Sequence, residues 1–447
     1  MRVENTTEIN DGYRRVCDAV LACGMYGKRP GIAIMRDLLK KHGHPERGFR
    51  FVHIAGTNGK GSTAYYTAKL LAAAGKTVGL YTSPHLAEVT ERIRVNGEEI
   101  PREDFARIAA LYLEETEVTA SDLLLLAALV WFREKNCEYA VIETGLGGAY
   151  DSTNALTDGD MGGAAAVSVI TNIGCDHTAV LGESLTEIAE AKAGILKRGT
   201  HAVLAEMPDE ALQVLVQRCE DLKIPYTLVK EQSRTAAWLK KEMPELSRTY
   251  QRRNAANAVT AFKVLEVTEP VSDGIAVNEA EAFRQMANTT VPGRLQVLQE
   301  NPTVIVDGAH NPQGAEALAE SLAALYPDET FDCVVGIVRD KDPAGILGSM
   351  ASLMHTAAVA AVGAGGRRSD VEGLCRQIAE RGIPVTACET AQEALERQKN
   401  RAAGDGGHKV LVFGSLYLVG EIIRLYGISN TDGRADSLGA GSERDQG

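Results

Sequence analysis

The chain has 447 residues, 45% hydrophobic and 24% charged, which is ordinary globular usage and enough for two or three domains at about 150 residues each. Lys plus Arg number 47 against 60 Asp plus Glu, a net charge of −13. That balance excludes a general binder of nucleic acid or anionic membrane, since phosphate attraction needs surplus positive charge, but it permits a small anionic substrate held by local cations.

Phe51 to Ile54 reads as a short apolar strand, followed by a Gly-rich loop and a helix from about Ser62 to Ala74. Thr77 to Tyr81 is the next strand, Ser121 to Lys135 a long helix, and Tyr139 to Thr144 and Ala166 to Thr171 further strands. A helix covers 184 to 195. This strand–helix–strand order predicts an α/β fold, a parallel sheet with helices on both faces. The pattern pauses at Val291-Pro292-Gly293-Arg294, where Pro-Gly suits a hinge. A fresh alternation runs through Thr303 to Val306, Val334 to Ile337, Ala357 to Val362 and Val410 to Phe413. The expected domains are 1–291 and a smaller 292–428, with a disordered tail over 429–447 because Thr431 to Gly447 carries almost nothing apolar. Asp158-Gly-Asp-Met-Gly-Gly reads as a mobile surface loop.

No apolar run approaches the roughly 20 residues of a bilayer span. The polar start Met1-Arg2-Val3-Glu4-Asn5 is not followed by the apolar core of a signal peptide. The eight cysteines, at 17, 23, 137, 175, 219, 333, 375 and 388, show no CxxC spacing. They read as reduced thiols of a cytoplasmic protein.

The strongest local signal is Gly56-Thr57-Asn58-Gly59-Lys60-Gly61-Ser62, directly after a strand and opening a helix. Glycines let backbone N–H groups curl around a phosphate, the helix N-terminus adds partial positive charge, and Lys60 adds a full one. The strict P-loop spacing fails, because Ile54 stands where its first Gly belongs and Gly61 separates Lys60 from Ser62. Thr82-Ser83-Pro84-His85 follows the next strand, at the carboxyl end where open α/β sheets bind ligands, and Ser83 is a candidate magnesium ligand. Glu143 ends a strand ahead of Gly145-Leu146-Gly147-Gly148 and reads either as a metal ligand beside phosphate or as a solvated edge carboxylate. Asp176 and His177 lie just beyond another strand and are candidates for ligation or general-base work. Lys192 sits on a helix, where a lysine normally faces solvent; its sequence neighbours give it interest. Asp307-Gly308-Ala309-His310-Asn311-Pro312 again joins a strand to a helix, so Asp307 and His310 would line a second rim. From the hinge, Arg294 could reach phosphate, and Asp340-Lys341-Asp342 could touch a second substrate.

Taken in order, these segments resemble the folylpolyglutamate and dihydrofolate synthases, the folate branch of the Mur ligase family. The resemblance rests on His53 to Ser62, Thr82 to His85, Glu143 to Gly148 with Asp151 and Asn154, Ile170 to Thr178, Lys192 to Gly194, Asn254 to Ala256, Pro292 to Arg294, Asp307 to Pro312 and Asp340 to Asp342. It implies a P-loop-like ATPase domain followed by a Rossmann-like domain, with the site between them. It also implies an ATP- and Mg2+-dependent ligase that adds L-glutamate to a folate carboxylate. By the same resemblance Thr57, Asn58, Gly59, Lys60, Gly61, Ser62, Asn254, Arg294 and Asp307 would bind ATP. Ser83, Glu143 and His177 would hold magnesium, and Lys192, once carbamylated, would join them. Lys60, His177, Lys192, Asp307 and His310 would carry catalysis, and Ser121, Asp122, Asp151, Asn154, Asp340 and Lys341 would contact substrate.

The chain departs from the family where Ala149 and Tyr150 replace an Arg-Leu pair, where Ala191 replaces a Glu before the modifiable lysine, and where Thr119-Ala-Ser-Asp122 replaces a segment containing Phe-Glu. These changes touch the carboxylate substrate more than the ATP machinery. A dihydrofolate synthase acting on dihydropteroate, or a bifunctional enzyme, is the first alternative. A cell-wall-type ligase acting on a UDP-linked peptide and a degenerate ATP-binding module are the others. Expected partners are small molecules alone, with no nucleic acid or membrane, and the chain is expected to be a monomer.

Overall fold

The computed structural model describes residues 2–24, 31–157, 165–230, 234–268, 279–363, 365–404 and 407–427. The glycine-rich 158–163 loop and the 429–447 tail therefore lie outside the described residues. The first sheet is built from β1 (Arg50–Ala55), β2 (Val78–Tyr81), β3 (Ile93–Val95), β4 (Glu98–Glu99), β5 (Tyr139–Glu143), β6 (Ala165–Ile170), β7 (His201–Ala205) and β8 (Tyr226–Val229). Its order is β4-β3-β2-β5-β1-β6-β7-β8, parallel from β2 to β8.

The central strands read as continuous apolar runs because both faces are covered. Along β1 and β5 the side chains alternate between two cores. Phe51, Ala140 and Ile142 pack under the helix Ala120–Glu134, with Leu123 and Phe132. Val52, Ile54, Tyr139 and Val141 pack against the opposite layer, formed by Lys60–Ala73 and Gln251–Thr268. By this period of two, Glu143 belongs to the face of Val141, and the carboxylate emerges at the strand end beside Gly61.

The second sheet comprises β9 (Gln296–Glu300), β10 (Thr303–Val306), β11 (Phe331–Val335), β12 (Met354–Ala360), β13 (Val385–Cys388) and β14 (Lys409–Phe413), in the order β13-β12-β11-β14-β10-β9. Ile305, Val335 and Phe413 face the helix Pro312–Leu325 through Leu318 and Leu322. Val304, Val334 and Val412 face Leu416–Leu425 through Leu418 and Ile422.

Three strands break the purely parallel expectation. The β3–β4 hairpin turns on Asn96 and Gly97, whose φ values of 51° and 93° are those of a two-residue hairpin turn. This Asn-Gly pair was legible in the sequence. β9 runs antiparallel to β10 across Asn301-Pro302. The sequence reading also lacked β7, β8 and β13, and it set the strand at 334–337 too late, since Gly336 and Ile337 have already left the sheet.

Candidate active site

The carboxyl ends of both sheets open into one cleft of about 1950 Å3, lined by Lys60, Ser83, Glu143, His177, Lys192, Arg294, His310 and Lys341 among others. This is where strand-to-helix loops of open α/β sheets gather. The loop Gly56–Ser62 leaves β1 and becomes the helix at Lys60. Gly59 adopts φ 83°, and a side chain there would collide with Asn254 Oδ1; only glycine fits. The N–H groups of Thr57 and Asn58 donate to Asn172 O (2.9 Å) and Asn172 Oδ1 (2.7 Å). The first-turn N–H groups of the helix, which have no intrahelical acceptor, remain for phosphate oxygens. Lys60 Nζ donates to Gly56 O and Thr57 O, both at 3.2 Å, so its ammonium is folded over its own loop.

Glu143 is buried, and its Oε2 accepts the Ser83 N–H at 2.9 Å. Burial raises its pKa, against the pull of Lys60, the Ser83 N–H and Arg294. Beside it Ser62 Oγ is buried with no hydrogen-bond partner. One carboxylate and two serine hydroxyls are hard oxygen donors suited to magnesium shared with a phosphate. Among the described residues no three His, Cys, Asp or Glu side chains form a cage of their own. Ser62, Ser83 and Glu143 fit a metal shared with a phosphate.

Lys192 is buried, not solvated, and its Nζ donates to Gly56 O at 2.9 Å. Burial, reinforced by Lys60, brings its pKa down to about 7. His177, exposed at the cleft, adopts a left-handed φ of 52°; desolvation by its neighbours and the nearby Lys341 and Lys60 lower its pKa to about 4 against the pull of Asp176. Asp176 accepts from Asn311 Nδ2 at 3.0 Å and from Lys341 Nζ, and His310 Nε2 lies 3.5 Å away. Burial alone would raise Asp176; His310 and Lys341 instead hold it far below the usual carboxylate range. It is a permanent anion anchoring groups of the second sheet, not a base. His310 Nδ1 faces Gly308 O at 2.8 Å, which fixes the proton on Nδ1 and turns Nε2 toward Asp176.

Several predicted residues act differently. Asp307 is buried, with its oxygens accepting from Tyr250 Oη (2.6 Å), Leu295 N (2.9 Å) and Ala309 N (2.8 Å). It frames the loop and lines the cleft. Asp122 does not line the cleft: it closes the capping box of Ala120–Glu134 with Thr119 and accepts from Ser152 Oγ. Asn154 is also turned inward, donating to Ala149 O at 3.1 Å. Asp340 lies off the cleft wall and holds Arg367, which does line it, at 2.9 Å. Ser121, Asp151, Asn254 and Lys341 do line the cleft. Asp151 Oδ1 accepts from Thr153 Oγ1 (2.6 Å), which also contacts buried His53 (2.9 Å). The sequence reading overlooked Asn172, Tyr250 and Gln313; only their spatial neighbours mark them.

Residues 54–265 match the Mur ligase middle domain, and residues 293–416 match the Mur ligase glutamate ligase domain. A dihydrofolate synthase/folylpolyglutamate synthase of Bacillus subtilis is 34% identical over 358 residues, 74% of this chain and 80% of that protein. Among solved structures, Mycobacterium tuberculosis folylpolyglutamate synthase complexed with ADP is similar at a TM-score of 0.79 and 26% identity, over 94% of this chain and 99% of that one. A bifunctional folylpolyglutamate synthase/dihydrofolate synthase of Yersinia pestis complexed with AMPPNP and Mn ion gives 0.73 and 25%, over 91% and 94%. Two matching domain families in sequence order, a relative above 30% identity and full-length structural likeness agree. The chain belongs to the Mur ligase family, in the branch of the folylpolyglutamate and dihydrofolate synthases.

Proposed function

We propose that this chain is an ATP-dependent ligase joining L-glutamate to the carboxylate of a folate, with release of ADP and phosphate. The observation that carries the reading is the meeting, in one cleft, of the phosphate loop, Ser83 and Glu143 from the first sheet with His310 and Lys341 from the second. The natural division is an ATP-binding domain over 1–291 and a ligase domain over 292–428.

An amine does not displace oxide from a carboxylate at useful speed. Transfer of the γ-phosphoryl group from ATP to the carboxylate oxygen gives an acyl phosphate; the glutamate nitrogen then attacks the carbonyl carbon and phosphate leaves. Lys60 and the first-turn N–H groups hold the phosphates and stabilise charge between β and γ. Ser83, Glu143 and His177, with Ser62, would hold a magnesium ion, which would screen the phosphoryl oxygens. Lys192, once carbamylated, would offer an anionic oxygen to that set. His310, held by Gly308 O at Nδ1 and by Asp176 at Nε2, would orient the incoming amine. Lys341, neutralised by Asp176, positions the second substrate. All eight cysteines are free and five are buried, which suits a reducing cytosol. No helix among the described residues is long and apolar enough to cross a membrane.

Dihydropteroate is a second carboxylate substrate on this reading, favoured because both the Bacillus subtilis relative and the Yersinia pestis structure carry dihydrofolate synthase in their names. The test is phosphate release against a panel of pterin carboxylates, dihydropteroate included, with glutamate present. Substrate-dependent phosphate release and a new amide are expected, and Lys60→Ala abolishes both. Full turnover in that variant would remove the phosphate assignment.

A further inference from the structure

The asparagines of the two fingerprint loops face each other. Asn58, in the loop after β1, and Asn311, which caps the helix Pro312–Leu325 after β10, form a reciprocal amide pair. Asn311 Nδ2 donates to Asn58 Oδ1 at 3.0 Å, and Asn58 Nδ2 donates to Asn311 Oδ1 at 3.2 Å. Gln313 Oε1 accepts from Asn58 Nδ2 at 3.1 Å and from Asn172 Nδ2 at 3.3 Å. Amide orientation here is dictated by groups that have only one role. Asn311 Oδ1 takes the Gly314 N–H at 2.7 Å, and Asn311 Nδ2 must face the Asp176 carboxylate at 3.0 Å. Asn172 Oδ1 takes the Asn58 N–H at 2.7 Å, so its Nδ2 points at Gln313. The carboxamide nitrogens of Asn58, Asn172 and Asn311 all meet acceptors, and every bond except those two anchors to Gly314 and Asn58 N–H crosses between the sheets.

We propose that Asn58, Asn311 and Gln313 form an interdomain latch that seats the second domain's helix on the phosphate loop, and that Asn58 is a positioning residue rather than a nucleotide ligand. Its backbone N–H and its carboxamide are already engaged by Asn172, Asn311 and Gln313. Neutral amides suit a contact that must form and break each turnover, because parting them leaves no charge of their own unpaired; the Asp176–Lys341 ion pair crosses the same seam beside them. With the latch closed, water is kept from the acyl phosphate until the amine arrives. With it broken, water attacks in place of the amine: carboxylate is regenerated, phosphate leaves, and one ATP is consumed without an amide.

The latch rests on the ligase reading, but it has a readout of its own. Asn58→Ala, Asn311→Ser (which retains a helix-capping oxygen), Gln313→Leu and the Asn58→Ala/Asn311→Ser pair would be assayed for phosphate released and amide formed. Thermal melts confirm folding of each, and Gln313→Leu alone decides if the asparagine variants do not fold. Each variant is expected to lower kcat by about tenfold or more while KM for ATP stays within about twofold. Phosphate per amide rises above one, and the pair is no slower than its slower member. A raised KM for ATP with phosphate and amide still matched, or additive losses in the pair, would overturn the latch. Small-angle X-ray scattering with magnesium and a non-hydrolysable ATP analogue tests it without turnover. A larger radius of gyration in Gln313→Leu than in the wild type is expected, and superimposable curves would overturn it. A wild type that forms no amide from any pterin carboxylate would overturn the ligase reading and leave the scattering result to decide the latch.

Discussion

Burial of Lys192 brings its ammonium to about 7, so a substantial fraction is a neutral amine near neutral pH. Only that form adds to carbon dioxide, giving a carbamate and a proton. Activation by added bicarbonate should therefore be stronger above this pKa than below it, and Lys192→Ala should lose most activity and recover part of it with short carboxylates. A wild-type rate in that variant would return Lys192 to a structural role. Glu143 moves the other way: burial raises its pKa, so on acidification a proton competes for the oxygen that would face the metal. Lowering the pH should shift the magnesium titration of phosphate release to higher concentrations, and Glu143→Gln should erase that shift. A pH-dependent titration surviving in Glu143→Gln would take this carboxylate out of the metal set.

The helix Ala120–Glu134 shows how a site candidate becomes a structural one. Thr119 accepts the Asp122 N–H at 3.2 Å and Asp122 accepts the Thr119 N–H at 2.8 Å, a capping box that fixes where the helix starts. Asp122 also takes Ser152 Oγ, tying the helix to the loop that carries Asp151. Asp122→Ala should lower stability by about 1–3 kcal/mol, read as a lower melting temperature, because it strips a cap and strands a buried hydroxyl. Its KM for the pterin substrate should hardly change once the protein is folded; a large rise in KM with an unaltered melt would put Asp122 back in contact with substrate. Elsewhere the elements follow the hydrophobic period. β1 and β5 feed two cores from alternate positions, and that alternation delivers Glu143 to the phosphate-loop face.

Across the whole molecule, a chain of net charge −13 concentrates Lys60, Arg92, Arg248 and Arg294 on the walls of one cleft. Anionic nucleotide, folate and glutamate can thus be gathered by an acidic protein. A nucleotide held between the two domains stabilises both. A non-hydrolysable ATP analogue with magnesium, at about 100 times its Kd, should add about 2.7 kcal/mol and raise the melting temperature in calorimetry. An unchanged melt under those conditions would remove the nucleotide from the cleft.

The sequence by itself determined the α/β rhythm, the pause at Pro292-Gly293, and the motif loops that end the strands. These depend on local chemistry: period-two apolar runs, glycines where φ is positive, and a lysine at a helix N-terminus. It could not tell that Asp122 and Asn154 point away from the cleft, or that Asp307 on its wall is held by a tyrosine, because which way a carboxylate or amide faces depends on groups far along the chain, such as Ser152 for Asp122 and Tyr250 for Asp307. Nor could it pair Asn58 with Asn311 across 253 residues. The tertiary structure alone decided those contacts, since they exist only after two separately patterned sheets bring their carboxyl ends to one cleft.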